Sequence, residues 1–189
     1  EYPTILSIQD PAQKIAHGYQ KHMTTPVWSK HGHHPISPEI YMDLVEAFKP
    51  DMYVALCDGD TDVESTQSQV ATVVERSKRQ FRKCEERHNK SKILKNTWML
   101  GAVEGGYDLK AREDSIKFLR EKNLNAYLID GFHENGPQVQ NINFDQIREV
   151  LQHTLSLLPS ERLKISMGCW NPLVTLDLID SGVDVFDSS

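Results

Sequence analysis

Met99-Leu100-Gly101-Ala102-Val103-Glu104-Gly105-Gly106 is a strand-forming run that stops abruptly at an acidic residue and two glycines. The same device recurs at Tyr127-Leu128-Ile129-Asp130-Gly131-Phe132, at Lys164-Ile165-Ser166-Met167-Gly168 and at Val183-Asp184-Val185-Phe186-Asp187. Amphipathic segments of helical length separate these runs. Strand, helix and strand at this spacing imply parallel pairing through right-handed crossovers. Buried strands that present small and acidic residues at their C-terminal ends describe the working face of a parallel β/α barrel. The expected fold class is α/β: a partial (β/α)8 TIM barrel of parallel strands with outer helices.

The chain has 189 residues and a mass of 21.6 kDa, enough for one substantial core. A complete barrel of this type usually needs roughly 250 residues. Residues 1–189 are therefore expected to be a fragment of one barrel domain within a larger protein. A formal charge of −6 and a pI near 5.7 argue against a self-sufficient nucleic-acid binder, whose affinity rests on Lys and Arg neutralising phosphates. Recognition shared with a basic partner stays open. Cys57, Cys84 and Cys169 are too far apart for a zinc knuckle and odd in number for a disulfide set, so reduced intracellular thiols are expected. The sequence has neither a signal-peptide pattern nor an apolar run long enough to span a bilayer, which predicts a soluble, intracellular chain.

Around the decisive runs, Tyr2–Ile8 alternates like a short strand, and Met23–Pro38, rich in Thr, Pro and His, reads as loop or hairpin. Ser37-Pro38-Glu39 opens a helix, with Ser as N-cap and Pro in the first turn. Ile40, Leu44, Val45 and Phe48 would form its inward face, and Pro50 ends it. Met52–Leu56 is a strand that stops at Cys57-Asp58-Gly59-Asp60. From Asp62 to about Asn89, Val63, Val70, Val73, Val74 and Phe81 are spaced as one helical stripe. The tail of this segment, Arg76 to Lys95, carries many charges, including Lys78, Arg79, Arg82, Lys83 and Arg87, and predicts a solvated outer face; phosphate contact is the sharper alternative. Further predicted elements are strand Thr97–Val103, helix Leu109–Lys122, strand Asn125–Ile129, helix Phe144–Leu157, strand Leu163–Ser166, helix Pro172–Ile179 and strand Val183–Phe186.

Each candidate site residue has a structural reading beside a functional one. Asp187 could act at a barrel mouth or simply cap a following helix. Glu104-Gly105-Gly106 could hold a base or sugar edge or make a tight turn, and Asp130-Gly131 repeats the device. Met167 could be core packing or a flat surface for a heterocycle. His31-Gly32-His33-His34 suggests a metal, yet these imidazoles are too close together to share one ion in good geometry. Loop histidines are the plainer reading.

Taken in order from about residue 36 to 189, these motifs resemble the tRNA-guanine transglycosylase family, barrels that exchange a guanine in tRNA for queuine or its precursor. Gly101-Ala-Val-Glu-Gly-Gly106 matches the family's Gly-hydrophobic-Val-Gln-Gly-Gly motif. Ile129-Asp130-Gly131-Phe132 stands where the family has Ile-Gly-Gly-Leu. Ser166-Met167-Gly168 matches Leu-Met-Gly, and Gly182-Val-Asp-Val-Phe-Asp187 matches Gly-hydrophobic-Asp-Met-Phe-Asp. The segments at Ser37-Pro38-Glu39 and Cys57-Asp58-Gly59-Asp60 match as well.

The resemblance implies a two-step displacement in which an Asp attacks C1′ of the nucleotide and a second carboxylate handles protons. Asp187 then matches the nucleophile, Met167 the stacking platform, and Glu104 with Gly105 the base-recognition turn. Asp58 lies at, or one position from, the residue that reads the guanine edge. The departures are pointed. The family's Asp-Ser-Gly-Gly-Phe-Gln motif is absent, with Ser7-Ile-Gln-Asp10-Pro11 in its region. Its recognition Gln is Glu104 here, an acceptor-only group when ionised, and a pocket glycine is Asp130, which would fill space and repel Glu104. This pattern resembles the family's non-catalytic subunits. It implies a heterodimer with a catalytic queuine tRNA-ribosyltransferase subunit, tRNA as the shared substrate, and a vestigial Asp187. The alternative is an active transglycosylase that uses Asp187. The resemblance further implies a zinc site of three Cys and one His beyond Ser189, with no metal in residues 1–189. It also implies residence in the cytoplasm and, peripherally, on the mitochondrial outer membrane.

Overall fold

Trp98–Val103 runs through the middle of the molecule as a strand, and its alternating residues separate two cores. In the computed structural model, which describes residues 2–13, 19, 21, 23–133, 135–136, 138–168 and 171–187, Leu100 and Ala102 join an inner cluster. That cluster also holds Val54, Ala126, Leu128 and Ile165, with Met167 and Val185 packed against it. Met99 and Val103 face the opposite way, into the layer between sheet and helices that contains Tyr53, Phe81, Ile116, Leu119 and Leu151. This two-residue alternation is what a curved sheet with a filled interior and an outer helical layer requires.

The sheet has six parallel strands: β1 (Ile5–Leu6), β4 (Met52–Val54), β5 (Trp98–Val103), β6 (Ala126–Ile129), β7 (Leu163–Ser166) and β8 (Val185–Phe186), paired in that order. Register runs Leu6 to Tyr53, Tyr53 to Met99, Val103 to Ile129, Leu128 to Ile165 and Ser166 to Phe186. Helices α2 (Gln67–Lys90), α3 (Leu109–Arg120), α4 (Phe144–Leu157) and α5 (Pro172–Ser181) connect successive strands, and α1 (Pro38–Phe48) precedes β4. Neighbouring helices pack side by side around the outside. This is the half-barrel expected from the sequence. A separate antiparallel hairpin, β2 (Thr25–Ser29) with β3 (Gly32–Ile36), carries the histidine run.

Local signals place the helix starts. Ser37 Oγ accepts from the Ile40 amide, and Thr66 with Gln69 forms a capping box. Asp108, Asn143 and Asn171 each accept from an amide of their own first turn, satisfying donors that a helix start leaves open.

Two predicted faces are corrected. Helix α1 turns Tyr41, Met42 and Val45 inward, whereas Ile40, Leu44 and Phe48 are 48%, 37% and 69% exposed. The Tyr41 hydroxyl donates to the Val54 carbonyl over 2.7 Å, which pulls that edge of the helix onto the sheet. Val63 lies before the capping box and is exposed, so the α2 stripe begins at Val70. Cys57 and Cys84 are free thiols; Cys169 lies outside the described residues. Among the described residues, no helix is long and apolar enough to cross a membrane.

Candidate functional site

Strands β5 and β6 run directly into Glu104 and Asp130, Asp58 stands in the segment that follows β4, and the outer helices hold these strand ends in place. The Asp58 amide donates to Ser77 Oγ on α2 over 2.9 Å, and the Glu104 amide donates to Ser115 Oγ on α3 over 3.1 Å. The two carboxylates are fully buried, and a helix brings each an arginine. Arg76 of α2 pairs directly with Asp58. Arg112 of α3 is itself fully buried. Its Nε and Nη1 donate to the carbonyls of Gly106 and Val103, over 2.9 and 2.7 Å, and its guanidinium lies 4.0 Å from the centre of the Phe132 ring.

Two of the predicted pocket residues, Glu104 and Asp130, come together with Cys57, which the sequence did not single out as a pocket residue. Cys57 Sγ, a Glu104 oxygen and an Asp130 oxygen all lie within 4.8 Å of one another. Asp130 Oδ1 accepts from the Gly131 amide over 2.8 Å. Its Oδ2 presses on the neighbouring strand end, where a Cβ on Gly59 would lie 2.6 Å away. A Cβ on Gly131 would meet Glu104 Oε2 at 2.8 Å. The carboxylates of Glu104 and Asp130 therefore occupy the space between the ends of β4, β5 and β6.

Gly105 has a structural duty in its turn. Its φ is +132°, and a Cβ there would stand 2.6 Å from the Arg112 backbone nitrogen. Glycine is required because α3 crosses the turn at backbone contact.

Burial sets the protonation of this cluster. Desolvation pushes the Asp58 carboxyl up to about 6, against the pull of Arg76. Glu104 is held well above the ordinary carboxylate range, first by burial and then by the Asp130 charge, with Arg112 opposing. The Cys57 thiol is raised by burial and then by Glu104. Burial lowers Arg112 and His133, while the neighbouring carboxylates pull each back upward.

Met167 and Asp187 stand elsewhere. With Asp10, Leu6 and Phe186 they line an open cavity of about 400 Å³ at the mouth of β1, β7 and β8. Asp10 Oδ1 accepts from the Ala12 amide over 2.9 Å in a local turn. The predicted site residues thus fall into a filled acidic pocket (Asp58, Glu104, Gly105, Asp130, Gly131) and an open cavity (Met167, Asp187).

The helix charges and the histidines are also corrected. Arg76 and Lys78 are not solvated: Arg76 reaches Asp58, and buried Lys78 pairs with Glu75 and Asp114. His33 packs between Tyr19 and Trp28, and His34 Nε2 bonds Ser29 Oγ. They are strand residues of the hairpin, not loop residues. Arg112 was missed by the sequence reading. Its signal was present, because Leu109, Arg112, Ile116 and Leu119 share one helical stripe, but charge argued for solvent.

A parallel half-barrel with this carboxylate-lined mouth has a clear affiliation. The family model described as Queuine tRNA-ribosyltransferase matches residues 7–189, and the chain belongs to this family. Among its relatives, a protein of Aedes aegypti named queuine tRNA-ribosyltransferase accessory subunit 2 is 37% identical over 188 residues, covering 98% of this chain and 45% of that protein. Proteins of the same name from Drosophila virilis and Ixodes scapularis are 36% and 31% identical; the match covers all of this chain and 46% and 48% of theirs. The chain spans a little under half the length of these relatives.

Proposed function

We propose that this chain is part of a non-catalytic subunit of a queuine tRNA-ribosyltransferase. The complex would exchange guanine for queuine at the wobble position of tRNAs with GUN anticodons. The observation that supports this reading is the filled pocket: the Asp130 and Glu104 carboxylates occupy the space between the ends of β4, β5 and β6, which the family resemblance assigns to the base. The subunit would work as a heterodimer with a catalytic homologue and help to position tRNA. The reading brings with it a zinc site beyond Ser189 and a peripheral place on the mitochondrial outer membrane, both expectations from the family. The test is labelled-guanine exchange into tRNA by the full-length protein, alone and mixed with its catalytic homologue. Silence alone with activity on mixing is the expected result; exchange by the protein alone overturns the reading.

One observation favours a second reading, an active transglycosylase that uses Asp187. Asp10, Met167 and Asp187 line the same open cavity, so a second carboxylate stands at the mouth that Asp187 faces. The same assay separates the two, since only the second reading yields exchange without the homologue.

A further inference from the structure

The Glu104 carboxylate presents a problem of satisfaction. The residue is fully buried, and among the described residues neither of its oxygens accepts an N–H or O–H hydrogen bond. Buried polar groups of this kind carry a cost unless a water, proton or ion completes them. Arg112 does not complete it, since its Nε and Nη1 are committed to backbone carbonyls and its Nη2 has no partner. What faces Glu104 is a thiol and a second carboxylate, Cys57 and Asp130, all three ligand atoms lying within 4.8 Å of one another.

We propose that Cys57, Glu104 and Asp130 form a binding site for a divalent cation of the zinc type. Three arguments converge. The donor set is one sulfur and two oxygens, which suits a borderline ion better than magnesium or calcium. The positions are near closure: a tetrahedral ion with bonds of about 2.0–2.3 Å sets its ligands about 3.3–3.7 Å apart. That asks for roughly an ångström of movement, and the one group that bonds Glu104, the Cys57 thiol, would itself become a ligand on losing its proton. The charges also balance. A thiolate and two carboxylates supply three negative charges, against the ion's two positive charges and the one on Arg112. The neighbouring Asp58 is already matched by Arg76. A fourth coordination position is left for water. The site is distinct from the Cys and His ligands expected beyond Ser189, and the proposal does not depend on the chain's role in base exchange.

The test strips the full-length protein of metal with a chelator and reloads it with Co²⁺, whose thiolate complexes absorb by sulfur-to-metal charge transfer. Cys57→Ser is the reference, so every other thiolate site contributes equally to both samples and cancels. The expected result is one more Co²⁺ per wild-type chain and a charge-transfer band in the difference spectrum. Equal stoichiometry with a flat difference spectrum overturns the site. If Cys57→Ser does not fold, Asp130→Asn serves in its place. There, at least a tenfold loss of affinity for one ion supports the site, and unchanged binding overturns it.

Discussion

The Asp130 carboxylate lies against the backbone of Gly59, so close that a single methyl group on Gly59 would stand 2.6 Å from Oδ2. Two strand ends that would flank an open pocket are thereby in contact. Gly59→Ala overpacks this junction and is expected to cost about 1–3 kcal/mol, read as a shift in the denaturant midpoint. In an Asp130→Gly background the same change should cost less than about 0.5 kcal/mol. An equal cost in both backgrounds would mean that Asp130 does not fill the space.

Arg112 serves two masters, the carbonyls of Val103 and Gly106 and the charges of Glu104 and Asp130. Arg112→Met leaves the carboxylates uncompensated and should destabilise by about 3–5 kcal/mol. Adding Glu104→Gln should recover part of that loss. A double-mutant cycle by urea unfolding measures the coupling, and strict additivity would refute it.

Helix α1 offers a direct check on which face is inward. Tyr41→Phe removes a buried hydrogen bond to the Val54 carbonyl and is expected to cost about 1–1.5 kcal/mol. Phe48→Ser, on the exposed side, should change stability by less than about 0.5 kcal/mol.

His88 gives the fold a pH dependence. Its ring, half-buried and bonded through Nδ1 to the Tyr53 hydroxyl over 3.0 Å, has its pKa lowered by desolvation. Below its ordinary value of about 6.5 the unfolded chain binds a proton that the folded chain resists. The stabilising contribution is therefore present above that pH and is lost as pH falls through the unfolded value toward the folded one. His88→Asn should flatten the slope of unfolding free energy between about pH 7 and 5, measured by urea titration at each pH. An unchanged slope would assign it to other groups.

The half-barrel was legible because its strands are short apolar runs with acidic or glycine ends, and because Ser37, Thr66 and Asn171 cap helices by local chemistry alone. What sequence periodicity misjudged were helix faces. Ile40, Leu44 and Phe48 are as apolar as Tyr41, Met42 and Val45, and only the Tyr41 bond to Val54 and the fit to the sheet choose between them. Arg76 and Lys78 read as part of a solvated face by their charge, because their partners Asp58 and Asp114 lie 18 and 36 positions away; Arg112 has no partner that its local sequence announces. The separation of Met167 and Asp187 from the acidic pocket depends on curvature of the sheet, which no local signal records. The closeness of Glu104 and Asp130 was legible as a conflict between two adjacent strand ends.

The central claim is that this chain supports base exchange without performing it, and Asp187 is the residue on which that turns. Full-length protein carrying Asp187→Asn, mixed with its catalytic homologue, should exchange labelled guanine into tRNA at the wild-type rate within about twofold. Loss of exchange in that mixture, with the heterodimer intact by size-exclusion chromatography, would contradict the account and make Asp187 a working nucleophile.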